Sequence, residues 1–598
     1  MQKTLFAELR TIISSYRWNF AKGLLFILLA NLLLIFNPMV FRQALISLDP
    51  SSESMAGTAP AHINWLPSVL TSSIVFWGIL LITIAFLSAY FRNKMRWYFF
   101  SIGGEVEKKT RSKIFNRIQS QSMAFFDNHG TGELLSRLTN DIAAYRDVLG
   151  PGILFPTYFL TVVIPGLCLL YMLSPFLTLI ALIPLFFIPF FKIFTRKPIH
   201  IFSHKVQEDL GEISNLTQEY YSGIRIIKSY VIEAGIFRHF YDQSQKLSSD
   251  SLRLSVLLGT TYPFFTLITK IVTVLLVLGA SFLILHLEAS SLGAADFITF
   301  MWIQSYIFFP ILMLGWVLPL YARGFSAYER LYQIYSEPIE VKDQGYAGLL
   351  ILPSSAIHIK HLSFTYPSSS LPALNDLTLT IEPGSFIGIT GPVGSGKSSL
   401  FKILNRQYQI PKGMVLIGEY DILDYPLEAF RRQMVTVEQV PFLFSKSIAE
   451  NVLFGREEAS REELELVARH ADLHETVMEF PEQYETLVGE RGVTLSGGQK
   501  QRVAMARAFL VNRSILLLDD IFSALDSETE KRIFNSMKTN FQGKTVLLIT
   551  HRSSILSQME RVIYMHQGKV VEDGKPEELM QKDGYYAALV QLQSLSVQ

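Results

Sequence analysis

The chain has 598 residues, of which 49% are hydrophobic and only 18% are charged, whereas about 25% are charged in an average soluble protein. This apolar surplus exceeds what one soluble core needs, and it excludes a disordered, collagen-like or coiled-coil chain. Because 53 Lys and Arg balance 52 Asp and Glu, no bulk positive charge indicates a nucleic-acid partner. The single cysteine, Cys168, excludes an internal disulfide and a cysteine-based zinc site.

The apolar residues are concentrated in the first 325 positions. Several stretches there reach the length of about 20 residues that spans a bilayer. The longest, residues 148–191, contains 44 uncharged residues and is best divided into two helices at Ser174-Pro175. The sequence therefore predicts a transmembrane domain over residues 1–335, with six helices at approximately 20–46, 68–95, 146–173, 175–197, 252–285 and 294–322.

The positions of Lys and Arg predict the orientation of these helices, because cytoplasmic flanks retain positive charge. Residues 47–68, 172–175 and 286–296 contain no Lys or Arg and are expected to face outward. The connections 92–147 and 192–253 contain many, and they are too long and amphipathic for simple turns. We therefore expect both termini in the cytoplasm, and we expect the amphipathic residues before the first span to lie on the membrane surface.

The composition changes after the last predicted span. Residues 336–356 contain several Pro, Gly and Ser and are predicted to form a linker. Residues 357–598 have mixed polarity and alternating strand and helix patterns, which predict an α/β domain. Within it, a glycine-rich loop follows the short apolar strand 385–390 and precedes a helical pattern. This is the strand-loop-helix setting of a P-loop, whose backbone N–H groups close around phosphate oxygens.

Two motifs in this domain predict phosphate chemistry. Lys397 in the loop is expected to neutralise the β- and γ-phosphates, and Ser398 to bind Mg²⁺. A buried strand at 515–518 ends in Asp519 and Asp520, and a carboxylate there can hold Mg²⁺ behind the phosphates. The predicted ATP-binding residues of the loop are Gly391, Pro392, Val393, Gly394, Ser395, Gly396, Lys397, Ser398 and Ser399.

A pentapeptide lies between these motifs: Leu495, Ser496, Gly497, Gly498 and Gln499. Together with the P-loop and the acidic strand, it resembles the signature of ABC-type ATPases. Six spans ahead of such a domain resemble an exporter-class half-transporter of the multidrug type, and the resemblance covers nearly the whole chain. It implies the type IV ABC exporter fold, an α-helical polytopic membrane domain fused to an α/β P-loop ATPase domain. It also implies ATP and Mg²⁺ as cofactors, a place among the lipids of a bacterial inner membrane, and export of small amphiphilic substrates.

The resemblance also implies roles for residues outside the P-loop. Tyr366 is expected to stack on adenine, and His551 to contact the γ-phosphate. Gln439 is expected to contact Mg²⁺, so that the implied metal ligands are Ser398, Gln439 and Asp519.

Other residues are expected to face a second ATPase domain. In the family, two such domains enclose two ATP molecules, each held between one chain's P-loop and the other chain's signature. The resemblance therefore implies that residues 495–499 and Asp526 contact the partner's ATP. Residues 488–492 match a loop specific to exporters. Residues 125–141 and 223–228 resemble the two cytosolic elbows that rest on the ATPase domains and transmit their motion.

One departure from the family pattern affects the predicted chemistry. The family usually has a glutamate at the position of Asp520. The resemblance implies that Asp520, His551 and Gln439 form the catalytic set. Aspartate is one methylene shorter, so its carboxylate falls back by about 1.5 Å, and a displacement of about 1 Å can cost on the order of 100-fold in rate. The chain's own site is thus expected to bind ATP well and hydrolyse it poorly. Since the signature is intact, we expect a heterodimer with a second, different half-transporter subunit.

Alternatives remain open at this stage. An importer of siderophores could use the same fold. A homodimeric lipid flippase is a further alternative, and it would require Asp520 to support ATP hydrolysis in place of the usual glutamate. A non-transporting ABC scaffold is contradicted by the six spans. In the membrane half, Lys270 could contact a neighbouring helix or handle substrate. The aromatic residues of the sixth span could line a pocket or face lipid.

Overall fold

The computed structural model describes residues 2–47, 74–185, 187–286, 293–343, 345–346, 355–489, 492 and 494–596. These residues form two compact units. The first comprises Met1–Ile114 and Arg137–Gln333, and the second comprises Phe115–Ser136 and Ile334–Gln598. The short segment 115–136 thus groups with the C-terminal part of the chain.

The described residues before position 337 form helices joined by short turns. A five-residue π-helical segment spans Arg137–Asp141. The helices in chain order are α1 Gln2–Ser15, α2 Arg17–Ile46, α3 Ile74–Gln119, α4 Met123–Asn128, α5 Thr131–Ser136, α6 Ile142–Leu149, α7 Pro151–Leu173, α8 Pro175–Leu185, α9 Phe187–Ser222, α10 Ile224–Tyr230, α11 Glu233–Gly259, α12 Thr261–His286 and α13 Ala294–Ser336.

Five helical stretches of the described chain are long and apolar enough to cross a membrane: Arg17–Ile46, Val75–Gln119, Thr131–Leu173, Glu233–Leu283 and Ala294–Ser336. The predicted fourth span, 175–197, is not among them, because it falls on α8 and α9, on either side of residue 186, which is outside the described residues. Residues 68–73 of the predicted second span also lie outside them. Helices nevertheless cover the described part of every predicted span, apart from single turn residues at Gly150 and Thr260.

Apolar side chains hold the helices of the first unit together. A buried cluster includes Leu170 of α7, Leu177 of α8, Val272 of α12 and Phe300 of α13. Glycine permits close packing here, since a Cβ on Gly279 would lie 2.6 Å from Cδ1 of Ile180.

Polar residues of this unit fall in different surroundings. A buried ion pair joins Arg42 of α2 to Asp296 of α13, and each charge is compensated by the other. Lys270 is exposed on α12. The aromatic residues of the sixth predicted span divide, because Phe300 is buried in the core cluster whereas Trp316 is 69% exposed. A common pocket role for all of them is therefore not supported.

The second unit contains two sheets. A four-stranded antiparallel sheet has the order β2-β1-β4-β5, and a six-stranded sheet has the order β10-β9-β3-β8-β7-β6, parallel except for β10. The strands are β1 Ile357–Phe364, β2 Leu374–Ile381, β3 Phe386–Thr390, β4 Val415–Ile417, β5 Tyr420–Asp421, β6 Met434–Val437, β7 Ile515–Asp519, β8 Thr545–Ile549, β9 Arg561–His566 and β10 Lys569–Gly574.

Helices complete this unit. They are α14 Lys397–Leu404, α15 Leu427–Arg431, α16 Ile448–Leu453, α17 Arg461–His470, α18 His474–Met478, α19 Gly497–Val511, α20 Ser527–Asn540, α21 Ser553–Leu556, α22 Pro576–Gln581 and α23 Tyr585–Ser596.

The register of the central strands positions the functional loops. Almost every residue of strands β3, β7 and β8 is buried and most are apolar, as expected for a parallel sheet covered on both faces. Ile389 of β3 pairs with Ile549 of β8, which also pairs with Asp519 of β7. The carboxyl ends of the three strands therefore meet at one edge, where ligands bind in open parallel sheets.

Helix α4 packs within the second unit. Ala124 is buried in the same apolar cluster as strands β1, β2 and β3. The Met123 N–H donates to the carbonyl of Gln407 at 3.1 Å, and the Tyr408 hydroxyl donates to Oδ2 of Asp127 at 2.7 Å. The start of the predicted first elbow, 125–141, is thereby attached to this unit.

Candidate functional site

The glycine-rich loop joins β3 to α14 through backbone conformations that favour glycine. Gly391 has φ +141° and Gly396 has φ +96°. A Cβ on either would collide with a backbone carbonyl, that of Met565 for Gly391 and that of Ala373 for Gly396. The loop can therefore take this shape only with glycine at both positions, and it leads directly into the N-terminus of α14, which favours anions.

Lys397, the first residue of α14, folds back over the loop. Its Nζ donates to the carbonyls of Gly391 and Pro392, both at 2.8 Å, and to Oγ of Ser395 at 3.2 Å. Burial lowers the pKa of Lys397, while the neighbouring carboxylates Asp519 and Asp520 raise it. The ammonium group is thus held by neutral acceptors at the mouth of an anion-binding loop.

Asp519 ends β7 and lies beside Ser398 of the loop. Burial raises the pKa of the Asp519 carboxyl, and the hydrogen bond with Ser398 opposes this rise. No group of three or more His, Cys, Asp or Glu able to hold a metal occurs in the described residues. One carboxylate and one hydroxyl fit Mg²⁺, which commonly takes few protein oxygens and completes its shell with water and phosphate oxygens.

Asp520 is held in an unusual backbone conformation. Its φ is +45°, and its N–H donates to the carbonyl of Ile549 at 2.9 Å. Nε2 of the exposed Gln439 donates to Oδ2 of Asp520 at 3.0 Å. The structure thus brings together two predicted site residues that are 81 positions apart.

His551 follows β8 at the same edge of the sheet. Burial lowers the pKa of its imidazole and the charge of Lys397 lowers it further, while Asp520 and Asp519 oppose this shift. A lowered pKa favours the neutral ring, which has one N–H donor and one acceptor nitrogen.

The sequence did not indicate what holds the His551 loop. The side chain of Gln593 in α23 donates through Nε2 to the carbonyl of His551, and its Oε1 accepts from the N–H of Ser553 at 2.8 Å. A glutamine some 40 residues away in a helical pattern carries no local signal of this contact.

Tyr366 lies against the first turn of α14. Its hydroxyl donates to Oγ of Ser399 at 2.9 Å, and Nζ of Lys402 lies 5.4 Å from the centre of its ring. The ring also meets Tyr408 edge to face, with centroids 5.3 Å apart. The aromatic side chain is thus fixed beside the P-loop.

The pentapeptide at 495–499 starts α19. Leu495 is buried, whereas Ser496 is exposed and caps the helix. Oγ of Ser496 accepts from the N–H of Gln499 at 3.3 Å, and Oε1 of Gln499 accepts from the N–H of Ser496 at 2.8 Å. Ser496 and Gly497 are both exposed, so the capped N-terminus of α19 lies at the surface of the described unit.

A second loop packs on the start of α19. A Cβ on Gly498 would lie 2.8 Å from the carbonyl oxygen of Ala524, so glycine permits this approach. Gln501, which the sequence did not single out, donates to Oγ of Ser523 at 2.7 Å and accepts from the N–H of Ala524 at 3.1 Å. Asp526 caps α20, and hydrogen bonds to the start of that helix lower the pKa of its carboxyl. Residues 490 and 491 of the predicted exporter loop lie outside the described residues.

Two protein-family models match the chain. Residues 20–311 match the ABC transporter transmembrane region, and residues 374–523 match the ABC transporter family. Together they cover most of both units.

Individual relatives match over most of their length. The chain is 30% identical over 534 residues to the multidrug resistance-like ATP-binding protein MdlA of Escherichia coli (strain K12), covering 88% of each chain. It is 31% identical to the probable multidrug resistance ABC transporter ATP-binding/permease protein YheI of Bacillus subtilis (strain 168), covering 82% of this chain and 83% of that one. It is 30% identical to the ATP-dependent lipid A-core flippase of Chromohalobacter salexigens, covering 83% and 85%.

A solved structure of similar fold is described as a bacterial Atm1-family ABC exporter with ATP bound. The TM-score is 0.76 at 23% identity, over 96% of this chain and 98% of that one. The exporter fold, an N-terminal helical membrane domain followed by a P-loop ATPase domain, is thereby confirmed, and this chain is an ATP-driven membrane transporter that belongs to the ABC transporter family.

Proposed function

We propose that the chain is one subunit of a heterodimeric exporter of amphiphilic compounds in a bacterial inner membrane. Its own site binds ATP and hydrolyses it slowly, and its signature completes the faster site of a different subunit. The geometry of Asp520 is the single observation on which this proposal rests.

The carboxylate of Asp520 is poorly suited to act as a base. The aspartate side chain is one methylene shorter than that of glutamate. Its Oδ2 already accepts a hydrogen bond from Nε2 of Gln439 at 3.0 Å. A carboxylate that accepts from an amide is less available to orient a water, and general-base catalysis requires direct reach to the proton that is removed.

Binding of ATP does not require the Asp520 carboxylate to reach the attacking water. The glycine-rich loop supplies backbone donors, Lys397 supplies positive charge, and Tyr366 offers a ring against adenine. Ser398, Asp519 and Gln439 would hold Mg²⁺, which neutralises charge on the phosphates. His551 would contact the γ-phosphate through a hydrogen bond.

The signature supports a role toward a partner. Ser496 and Gly497 are exposed at the capped N-terminus of α19. An exposed helix N-terminus attracts a phosphate group, and Asp526 lies in the adjoining loop. We infer that these residues face the ATP held by the P-loop of the other subunit.

Transport would require that the ATPase domains move the membrane domain. Closure of two ATPase domains around nucleotide would move the cytosolic elbows and open the membrane cavity outward, and hydrolysis would reset it. Relatives named as multidrug resistance proteins favour amphiphilic cargo. The distribution of Lys and Arg supports cytoplasmic termini.

A homodimeric lipid flippase is the second candidate, because the relatives include proteins named as lipid A-core flippases. The two proposals differ in subunit composition. Affinity purification of the tagged chain from its own membranes should recover a second half-transporter with glutamate at the position of Asp520.

The decisive experiment is nucleotide trapping in that complex. With vanadate, Mg²⁺ and 8-azido-ATP, we expect the label mainly on the partner's P-loop. Preferential labelling of the peptide that contains Lys397, or brisk ATP turnover by this chain alone, would contradict the heterodimer proposal.

A further inference from the structure

The membrane unit contains a cavity that the ATPase chemistry does not use. Its volume is about 590 Å³, and it lies between α2, α3 and α13. This is within the range of about 300–1,000 Å³ that small-molecule sites occupy. All of the lining belongs to the first unit.

The polar side of the cavity is cationic. Arg92 and Arg96 line it from α3, and Asn93 adds an amide group. Since residues four apart in a helix share a face, the two guanidinium groups approach the same volume. The lining includes no Asp or Glu, and neither arginine forms an ion pair within the described residues.

Hydrogen-bonding capacity in the cavity is left unused. Arg92 donates through Nη2 to Oγ of Ser88 at 3.2 Å, and Ser88 in turn donates to the carbonyl of Ala30 at 3.2 Å. Nε of Arg92 and Oδ1 of Asn37 are buried without a hydrogen-bond partner in the described part of the chain. A buried guanidinium donor without an acceptor is costly, and an anionic ligand would satisfy it.

The opposite side of the cavity is apolar. Leu33 and Leu34 of α2 and Ile84 of α3 line it, and Tyr306 of α13 contributes a ring with a polar end. Ile84 lies two turns before Arg92 on α3, so the apolar and cationic parts are separated by about 12 Å along the helix. A ligand with an alkyl tail and a charged head matches this separation.

We propose that this cavity binds an amphiphile whose head group is a phosphate or carboxylate, with Arg92 and Arg96 on the anion and Leu33, Leu34 and Ile84 along the tail. Guanidinium groups bind these anions through paired N–H donors. The inference rests on the proposed export function and narrows its substrate to anionic amphiphiles.

Equilibrium binding of radiolabelled dodecyl phosphate tests the proposal, with the full chain in phosphatidylcholine nanodiscs and no nucleotide. We expect saturable binding that dodecyl trimethylammonium and dodecyl maltoside do not displace. Arg92→Gln and Arg96→Gln should each weaken binding about tenfold, as expected for loss of one charged hydrogen-bonding group. Arg92→Lys should bind more weakly than the parent chain and more tightly than Arg92→Gln, because it keeps the charge and loses the paired donors.

Lys94→Gln is the matched control. Lys94 lies on the same turn of α3 but outside the cavity lining, with its Nζ 5.7 Å from the ring of Tyr90. It should bind dodecyl phosphate as the parent chain does. Equal loss in Lys94→Gln and Arg92→Gln, or equal displacement by dodecyl trimethylammonium, would overturn the proposal. The thermal unfolding midpoint of each variant shows whether it has folded.

Two further measurements are needed. One shows whether the anionic ligand is a membrane lipid, and the other tests the export function separately from the anionic site. Displacement by phosphatidylglycerol in the nanodisc would identify a lipid head group as the ligand, whereas its absence would identify a non-membrane amphiphile, and both support the anionic site. Transport in inverted vesicles tests export separately. Binding of dodecyl phosphate without any transport would contradict only the proposed export function. Transport of cationic drugs alone, without binding of dodecyl phosphate, would contradict only the proposed anionic site.

Discussion

The side-chain amide of Gln439 donates a hydrogen bond to the carboxylate of Asp520 across 81 residues of sequence, with Nε2 3.0 Å from Oδ2. The contact joins the loop after β6 to the end of β7, which are adjacent parallel strands. The carboxylate of Asp520 thus already accepts a hydrogen bond from a side-chain amide. Under the proposed function, this bond leaves the carboxylate less available to orient a water. The rate of ATP hydrolysis at this site should therefore depend on the length of the side chain at position 520.

Replacement Asp520→Glu should increase ATP turnover at the chain's own site by about tenfold or more, since a carboxylate misplaced by about 1 Å can cost on the order of 100-fold. The measurement is phosphate release in nanodiscs, combined with vanadate trapping over Lys397. Asp520→Asn, which keeps the length and removes the charge, is the control and should not increase turnover. An unchanged rate in Asp520→Glu would mean that side-chain length does not limit this site.

Ser496→Ala should lower stability and catalysis together. Loss of an N-cap costs about 1 kcal/mol, and loss of the exposed donor should reduce turnover of the assembled transporter by about tenfold or more. Ser460→Ala is a closely matched control, because Ser460 is also exposed and forms the same capping box with Glu463 at the start of α17. It should show the loss of stability without the loss of turnover. Similar ATPase rates in the two variants would argue against a signature role.

Tyr366→Ala should weaken nucleotide binding, because base stacking on an aromatic ring contributes about 1–3 kcal/mol. Tyr366→Phe keeps the ring and removes only the hydroxyl that donates to Ser399. It should therefore bind ATP nearly as the parent chain does. Fluorescent ATP titration of both variants measures the difference. If Tyr366→Phe and Tyr366→Ala lost equal ATP affinity, the hydroxyl rather than the ring would account for the contribution of Tyr366.

Asp519→Asn should raise the unfolding temperature of the nucleotide-free chain at pH 7. Burial raises the pKa of Asp519 above its ordinary 3.8, so the folded state binds this proton more tightly than the unfolded state does. The contribution of Asp519 to stability consequently falls as pH rises from about 4 through the raised pKa. Asparagine removes that pH dependence and also removes the stabilisation by Mg²⁺ and ATP.

Asp526→Asn provides a control of opposite sign. Hydrogen bonds at the start of α20 lower the pKa of Asp526, so its carboxylate stabilises the fold above the unfolded pKa, and this contribution is lost as pH falls through the lowered pKa. Asp526→Asn should therefore reduce the unfolding temperature at pH 7. Scanning fluorimetry from pH 4 to 8 compares the two variants. Parallel changes in both would contradict the opposite assignments.

The order of domains and the ATPase motifs could be predicted from sequence because their signals are local. Uncharged stretches of membrane-spanning length predict helices wherever they occur, and the family matches confirm the membrane and ATPase domains. The glycines of the P-loop are recognisable because positive φ at Gly391 and Gly396 is a requirement of the loop itself. The fourth span was less distinct, since its described residues fall on two separate helices.

Contacts between distant residues were decided only by the tertiary structure. The support of His551 by Gln593 and the packing of Gln501 on residues 523–524 join helices to loops that no local spacing relates. The same is true of the cavity, which Asn37 and Arg92 line together only because α2 and α3 pack side by side. Sequence period and composition record which surface of an element is apolar. The partner that a polar side chain meets depends on how the elements pack, and that is a property of the folded chain alone.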